Sequence, residues 1–478
     1  MITESAALAG YPANSPVDAE EVRSAVEASG RVLVVLDDDP TGTQSVADLP
    51  VLMQWETSDF HWALGLGRPA VYVLTNTRSL DAATTARRTR EIVRNASLAA
   101  SELGLRLAFV SRGDSTLRGH FPLETDVIAD SLRELTGTEI DAIILVPAFP
   151  DAGRITIGGM HYMRSAEGLL PIAETEFARD ATFGYRSSDL RDYVAEKTEG
   201  RTAAEDVVLL DLTTVRSGPE AVAAGLAGLT GRTHVVVDIV TEDDLRSLAL
   251  GLERAEQRGL DLLYRVGPPF VRARVGQEVH APLTSDDVYG SAGSDAVGGL
   301  IVVGSHVGLT SRQLAALGRS EHIEATLEVD IAAVLDPDRV DDHVDAIVSS
   351  ASDALGRGDV VVHTSRTLVR TDDPEESLDI SRRVSAAVVL VVQRVLEARA
   401  PRFVIAKGGI TSSDVAAFGL SIRHAIVRGP MLPGLVSLWE PADGPATGIP
   451  YVVFAGNVGD DGSLATVVST LTHRPGAR

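Results

Sequence analysis

The chain contains no cysteine, which excludes disulfides, thiol nucleophiles and Cys-ligated zinc or iron–sulfur centres. Aromatic residues make up only 4%, so a core must be assembled mainly from Val, Leu, Ile and Ala. Lysine is nearly missing, Lys197 and Lys407 being the only two. Positive charge is in deficit overall, with a formal net charge of -24. Nucleic acid and anionic membrane surfaces demand concentrated Lys and Arg, so neither is an expected partner. Long apolar runs are also lacking: the most apolar helical stretch, residues 384–392, falls far short of a bilayer span. Residues 1–30 show no basic start followed by an apolar stretch, so no secretory signal is read and a cytoplasmic location is expected.

What is present is a regular alternation. At 478 residues the chain exceeds one ordinary core. Apolar, β-branched runs at residues 31–36, 70–74, 107–110, 142–146, 207–210 and 234–237 are separated by helical sequence. The spacing predicts a helix over 81–103 capped by Asp81, and another over 241–258 with acidic residues in its first turn. Across 281–299 the pattern stops in a Ser, Gly and Asp-rich stretch. It resumes with strands at 300–303, 359–362, 403–406 and 451–454 and a long helix over 375–398. The fold class expected is α/β, with two lobes, each a mainly parallel sheet flanked by helices, and an interlobe cleft. The N-terminal domain would span residues 1–285, a linker 286–298, and the C-terminal domain 299–478.

Ligands of open α/β sheets bind beyond the carboxyl ends of the strands. The first strand ends in Asp37-Asp38-Asp39-Pro40-Thr41-Gly42, where like charges repel unless a metal, an arginine or a proton relieves them. By itself this triplet reads as an exposed acidic turn. Three further strand ends lead into polar loops, which carry Arg78; Arg112, Asp114, Ser115, Thr116 and Arg118; and Arg154. Arginine pairs bidentately with carboxylates, and Asp, Ser and Thr hydrogen-bond hydroxyls, so the convergent set suits a small polyhydroxylated acid. Singly, Arg78 and Arg154 read as well as loop braces, and Asp114, Ser115 and Thr116 as turn or helix caps. His120 and His161 lack a third ligand at metal spacing, so they read as structural and no metal site is expected.

In the C-terminal half, three strands run into glycine turns: Gly304-Ser305, Lys407-Gly408-Gly409-Ile410-Thr411, and Gly456-Asn457-Val458-Gly459. Glycine lets backbone N–H groups approach phosphate, and helix N-termini favour it. Lys407 would add a point charge to the phosphates, or else be a solvated strand end. Gly-x4-Gly-Lys-Ser/Thr, Gly-x-Gly-x-x-Gly and Gly-x-Ser-x-Gly are all absent, which disfavours P-loop NTPases, Rossmann dehydrogenases and α/β-hydrolases.

Taken in order, Asp38-Asp39-Pro40-Thr41-Gly42, the run from Asp114 to Gly119, Gly408 to Ser412 and Gly456 to Gly459 resemble the signatures of the four-carbon acid sugar kinase family. Asp37 stands where that family usually has a small residue, Ile410 where it often has Glu, and Arg112 near a position often held by Lys. The resemblance implies an N-terminal lobe that binds a sugar acid such as threonate, erythronate or a 3-oxo-tetronate, and a C-terminal lobe that binds ATP with Mg2+. It makes Arg78, Asp114, Ser115, Arg118 and Arg154 substrate candidates, and Ser305, Gly408 to Thr411 and Gly456 nucleotide candidates; Lys407, Asn457 and Gly459 extend the latter set. The reaction expected is phosphoryl transfer to a terminal hydroxyl, with Asp38 as the base and Asp39 or Asp114 as rivals. Asp37 is expected to be incidental. A sugar-acid sensor without catalysis and a metal-dependent isomerase or lyase are the alternatives. A homodimer is compatible with this reading.

Overall fold

A computed structural model describes residues 2–290, 296–320, 322–366 and 374–473. The chain divides into two compact units, Met1–Val279 and His280–Arg478. Residues 291–295 of the expected linker lie outside the described residues, and a short helix, Ser285–Tyr289, occupies its start.

Unit 1 contains eight parallel strands: β1 (Arg31–Asp37), β2 (Leu49–Leu52), β3 (Ala70–Leu74), β4 (Arg106–Arg112), β5 (Ala142–Val146), β9 (Val208–Leu210), β10 (Thr233–Val237) and β11 (Leu262–Val266). They lie in the order β2-β3-β1-β4-β11-β5-β10-β9. Between β5 and β9 an antiparallel sheet is inserted, β6 (Arg154–Ile157), β7 (Met160–Ser165) and β8 (Gly168–Pro171). Both faces of the main sheet are covered, which explains why its strands read as unbroken apolar runs. Val34, Leu36, Val71, Val73, Phe109, Ile143 and Leu145 belong to one buried cluster.

The helix Ala82–Leu103 begins where Asp81 accepts from Thr84 N–H and ends at left-handed Gly104. Its buried positions Thr85, Thr89, Ile92, Val93, Ala96 and Ala99 recur at the helical period, so one stripe faces the sheet. A capping box between Thr241 and Asp244 starts the helix Glu242–Gln257.

Among the described residues unit 2 has seven strands: β12 (Leu300–Val303), β13 (Ile323–Val329), β14 (Asp359–Thr364), β15 (Val404–Lys407), β16 (His424–Leu432), β17 (Val436–Pro441) and β18 (Tyr451–Phe454). The order is β13-β14-β12-β15-β18-β17-β16; the first five are parallel, and β17 is antiparallel to both of its neighbours, β18 and β16. Because β12, β15 and β18 are neighbours and parallel, their carboxyl ends lie side by side on one sheet edge. The long helix Pro374–Ala398 packs against the helix Val340–Ala354. Among the described residues no helix is long and apolar enough to cross a membrane.

Candidate active site

Asp37 closes β1 and Arg112 closes β4, and the two are register partners. Arg112 Nη1 donates to Asp37 Oδ1 at 2.9 Å and to Asp38 Oδ1 at 3.4 Å. Arg78, in the turn after β3, grips both oxygens of Asp38 through Nε and Nη2 and reaches Asp39 Oδ2 with Nη1 at 3.2 Å. Two guanidiniums therefore relieve the acidic triplet. The side chains of Asp37 and Asp38 are each 1% exposed and that of Asp39 is 23% exposed, so the exposed-turn reading does not hold.

Asp37 is tied into the same network as Asp38 by Arg112. Burial pushes its carboxyl up to about 7 against the pull of Arg112, and Asp38 and Asp39 add to the rise. Its Oδ2 is buried without a hydrogen-bond partner, a costly position for an ionised oxygen. Burial also pushes Asp39 up, but Arg78 and the Thr41 hydroxyl outweigh it and hold that carboxyl below its ordinary value.

The loop after β4 forms a second cluster. Asp114 accepts from Thr116 N–H at 3.1 Å, from the Thr116 hydroxyl, and from Arg118 Nε at 2.7 Å. Burial works against its charge, yet Arg78, Arg118 and Thr116 hold it far below the usual carboxylate range. Ser115 and Thr116 are buried. Arg154 differs from the other arginines: Nη1 donates to the Ala152 carbonyl at 2.8 Å, and its buried Nε has no partner. Burial lowers its pKa, and Asp114 is near enough to counter that in part.

Sequence reasoning missed Arg265 on β11. Its Nη1 donates to Ser111 Oγ at 2.8 Å and Glu124 Oε2 at 2.7 Å. A β-carbon on Gly113 would sit 2.4 Å from Arg265 Nη2, and one on Gly119, at φ +122°, would lie 2.7 Å from Nη2 and 2.9 Å from Asp38 Oδ2. The glycine that ends the Asp-Ser-Thr-x-Arg-Gly signature thus makes room for Arg265 and Asp38 together. An arginine inside the apolar run from Leu262 to Val266 was the available signal, since a buried charge needs a partner. His161 matches its structural reading: it is buried, its pKa is lowered to about 4 by burial, and Nε2 donates to the Ser115 carbonyl at 2.8 Å.

In unit 2 the three glycine turns meet. Ser305 follows β12, and its Oγ accepts from Thr310 Oγ1, which also donates to the Gly456 carbonyl after β18. A β-carbon on Gly456 would lie 2.4 Å from Ser305 Oγ, and one on Gly304 would lie 2.1 Å from Thr411 Oγ1. Gly408 sits at φ +129° between the same two hydroxyl residues. Gly409 and Thr411 are half-buried, and Ile410, Asn457 and Gly459 are exposed. Gly409 opens the helix Gly409–Asp414, which passes into a π-helical turn, Val415–Gly419.

Lys407 occupies neither position expected of it. It is fully buried, Nζ donates to the Ala455 carbonyl at 2.9 Å, and the ammonium lies 3.8 Å from the centre of the Phe454 ring. Burial lowers its pKa to about 7. It braces the strand ends from beneath. Beside the turns lies a cavity of about 230 Å³ lined by apolar side chains including Ile331, Ile380, Val384 and Val388, with Thr411 and Asp414 on its wall. Its mainly apolar surface, with polar side chains such as His306, Thr364 and Ser385 also on the wall, suits a flat heterocycle.

Residues 33–274 match the family model of a sugar-binding N-terminal domain, and residues 300–464 that of a nucleotide-binding C-terminal domain. The chain is 28% identical over 388 residues to a D-erythronate kinase of Heliobacterium modesticaldum, covering 76% of this chain and 80% of that protein. It is 28% identical over 357 residues to a 3-oxo-tetronate kinase of Methylobacterium radiotolerans, covering 72% and 76%. A crystal structure from Salmonella typhimurium LT2 shares the fold at a TM-score of 0.66 and 18% identity, covering 91% of this chain and 98% of the other.

Proposed function

Because this chain belongs to the four-carbon acid sugar kinase family, we propose that it transfers the γ-phosphoryl group of ATP to a terminal hydroxyl of a four-carbon sugar acid such as erythronate, threonate or a 3-oxo-tetronate. The observation that carries the nucleotide half is the meeting of three glycine turns on one edge of unit 2, beside an apolar cavity. The triphosphate would lie on the turns of Ser305, Gly408 to Thr411 and Gly456, where backbone N–H groups and hydroxyls are donors, and the base would enter the cavity.

Mg2+ would travel on the triphosphate. Among the described residues no group of three or more His, Asp or Glu forms a metal cage, and this fits an ion that keeps several waters and binds chiefly through phosphates. The hydroxyls of Ser305 and Thr411 are the protein oxygens suited to meet it. When bound, the ion neutralises charge building on the phosphate oxygens.

In unit 1, Arg78 and Arg112 are committed to Asp37, Asp38 and Asp39, so they order the carboxylates rather than await the substrate. Arg154 has no carboxylate partner among the described residues, and it takes the acid group of the sugar, with Arg118 beside Asp114 at the same loop. Asp39, the most exposed of the triplet, accepts the hydroxyl proton; Asp38, held by Arg78, sets its position. A loose phosphoryl-transfer transition state asks little more of a base than a placed acceptor.

The test is ADP formation by the purified chain with MgATP and each of the three acids. Acid-dependent ADP release is expected for at least one. ATP binding with no ADP formed from any acid would remove the kinase reading.

A further inference from the structure

Residues 154–198, the insertion that holds β6–β8 and the helix Leu190–Lys197, touch the substrate loop at four consecutive positions. His161 Nε2 donates to the Ser115 carbonyl at 2.8 Å, Tyr185 OH to the Thr116 carbonyl at 2.8 Å, and Tyr193 OH to the Leu117 carbonyl at 2.9 Å. Arg118 lies 5.0 Å over the Phe177 ring, with Asp180 at 3.8 Å. Leu117 is held at φ 68°, a left-handed conformation unfavourable for a branched side chain.

The donors are themselves fixed. His161 is fully buried; because the Ser115 carbonyl can only accept, Nε2 carries the proton, and Nδ1 meets the Thr156 hydroxyl at 3.0 Å. Thr156 pairs through its backbone with Ile239, which follows β10. Tyr185 and Tyr193 are buried and meet edge to face at 5.7 Å, and Phe121 stacks on Tyr193 at 5.8 Å. The turn between β6 and β7 is held by Asp238, which accepts from Gly158 N–H at 2.6 Å and Gly159 N–H at 2.8 Å. A continuous line of contacts thus runs from the main sheet through the insertion to the loop.

We infer that residues 154–198 form a selectivity module, in which His161, Tyr185 and Tyr193 are positioning residues that hold the main chain of Ser115, Thr116 and Leu117 and thereby set which four-carbon acids are accepted. The inference rests on the kinase reading for its substrate class. Four-carbon acids that differ at one stereocentre present the same charge and nearly the same volume. They are told apart by the placement of hydrogen-bonding groups, where displacements well below 1 Å matter. A loop tied at three successive carbonyls keeps that placement; a loop freed at one of them accepts a wider set.

Tyr185→Phe and Tyr193→Phe remove one hydroxyl each. His161→Leu removes a donor, and His161→Gln restores an N–H near the same carbonyl. For each variant the kcat/KM with D-erythronate, D-threonate and 3-oxo-tetronate, the KM for ATP and the amide exchange of residues 114–119 are measured. We expect the ratio between best and worst acid to shrink about fivefold, the shift that one lost neutral hydrogen bond carries. Exchange of the loop should quicken, the KM for ATP should stay unchanged, and His161→Gln should recover part of the ratio. A merely structural role would lower turnover of all acids equally. An unchanged ratio or unchanged loop exchange overturns the inference. If the wild type turns over none of the acids but binds them with different affinities, the kinase reading fails and the same ratio is taken from dissociation constants. A wild type that binds none overturns both.

Discussion

Gly42 lies directly against the carboxylate of Asp37: a β-carbon at residue 42 would fall 1.9 Å from Asp37 Oδ2. The glycine of the Asp-Asp-Pro-Thr-Gly turn is therefore required by a side chain outside that signature. Gly42→Ala should destabilise unit 1 by about 2 kcal/mol, as overpacking in a closed core does, with the loss read as a lower urea midpoint. In an Asp37→Ala background the same change should cost measurably less, because the obstructing carboxylate is gone. Additive losses in the double variant would show that the two positions do not meet.

Asp37 also gives a pH signature. Its folded pKa is raised to about 7, above the ordinary carboxyl value of about 3.9. Between those pH values the folded chain holds a proton that the unfolded chain has released, so stability from this group is lost as pH rises through the window and is constant above it. Asp37→Asn imitates the protonated form. The melting-temperature difference, variant minus wild type, should climb from pH 5 to pH 8; a flat difference would mean that Asp37 titrates normally.

For Lys407 the sign runs the other way. Burial lowers its pKa to about 7, so the folded state penalises its charge fully below pH 7, and the penalty declines as pH rises towards the unfolded value of about 10.4. Lys407→Met keeps the length of the side chain without the charge. Its gain in melting temperature over wild type should be largest at pH 6 and shrink by pH 9. Since Nζ donates to Ala455 rather than facing the turns, the KM for ATP should change by less than about threefold, a shift below 1 kcal/mol. A tenfold rise would place the ammonium at the phosphates.

The glycine turns of unit 2 should separate the two substrates. Gly456→Ala brings a β-carbon to 2.4 Å from Ser305 Oγ and should raise the KM for ATP about tenfold or more, on the scale of 1–2 kcal/mol for overpacking. The KM for the sugar acid should hold. Equal rises in both would point to general unfolding instead.

Much of this arrangement could be read before any coordinates. Asp81, Thr241 and the glycine turns announce themselves through local chemistry, since caps and close backbone approaches depend on neighbours in sequence. Parallel strands covered on both faces are apolar throughout, so β1, β3, β5, β12 and β18 were plain. What escaped depends on distant partners. β11 contains Arg265, tolerated in a buried strand because Glu124 meets it from another element. Along β16 and β17, Gly429 and Pro430 sit where the register shifts, which broke the period-two pattern. Strand β13 alternates half-buried and exposed positions, with only Val329 buried, as the outermost strand of its sheet, and its Glu324 and Glu328 hid it. The burial of Asp37 and Lys407 escaped for one reason: burial changes what a charged residue does, and it is invisible in a run of letters.

The insertion grips carbonyl oxygens, which every amino acid supplies. The side chain at residue 115 can consequently be exchanged without loosening that grip, whereas Thr116 also bonds Asp114 and Leu117 sits at φ 68°, so the vocabulary of the substrate loop is open at one position while its shape is closed. A laboratory lineage selected on a new acid would be expected to change residue 115 early and the three donors that hold the loop late.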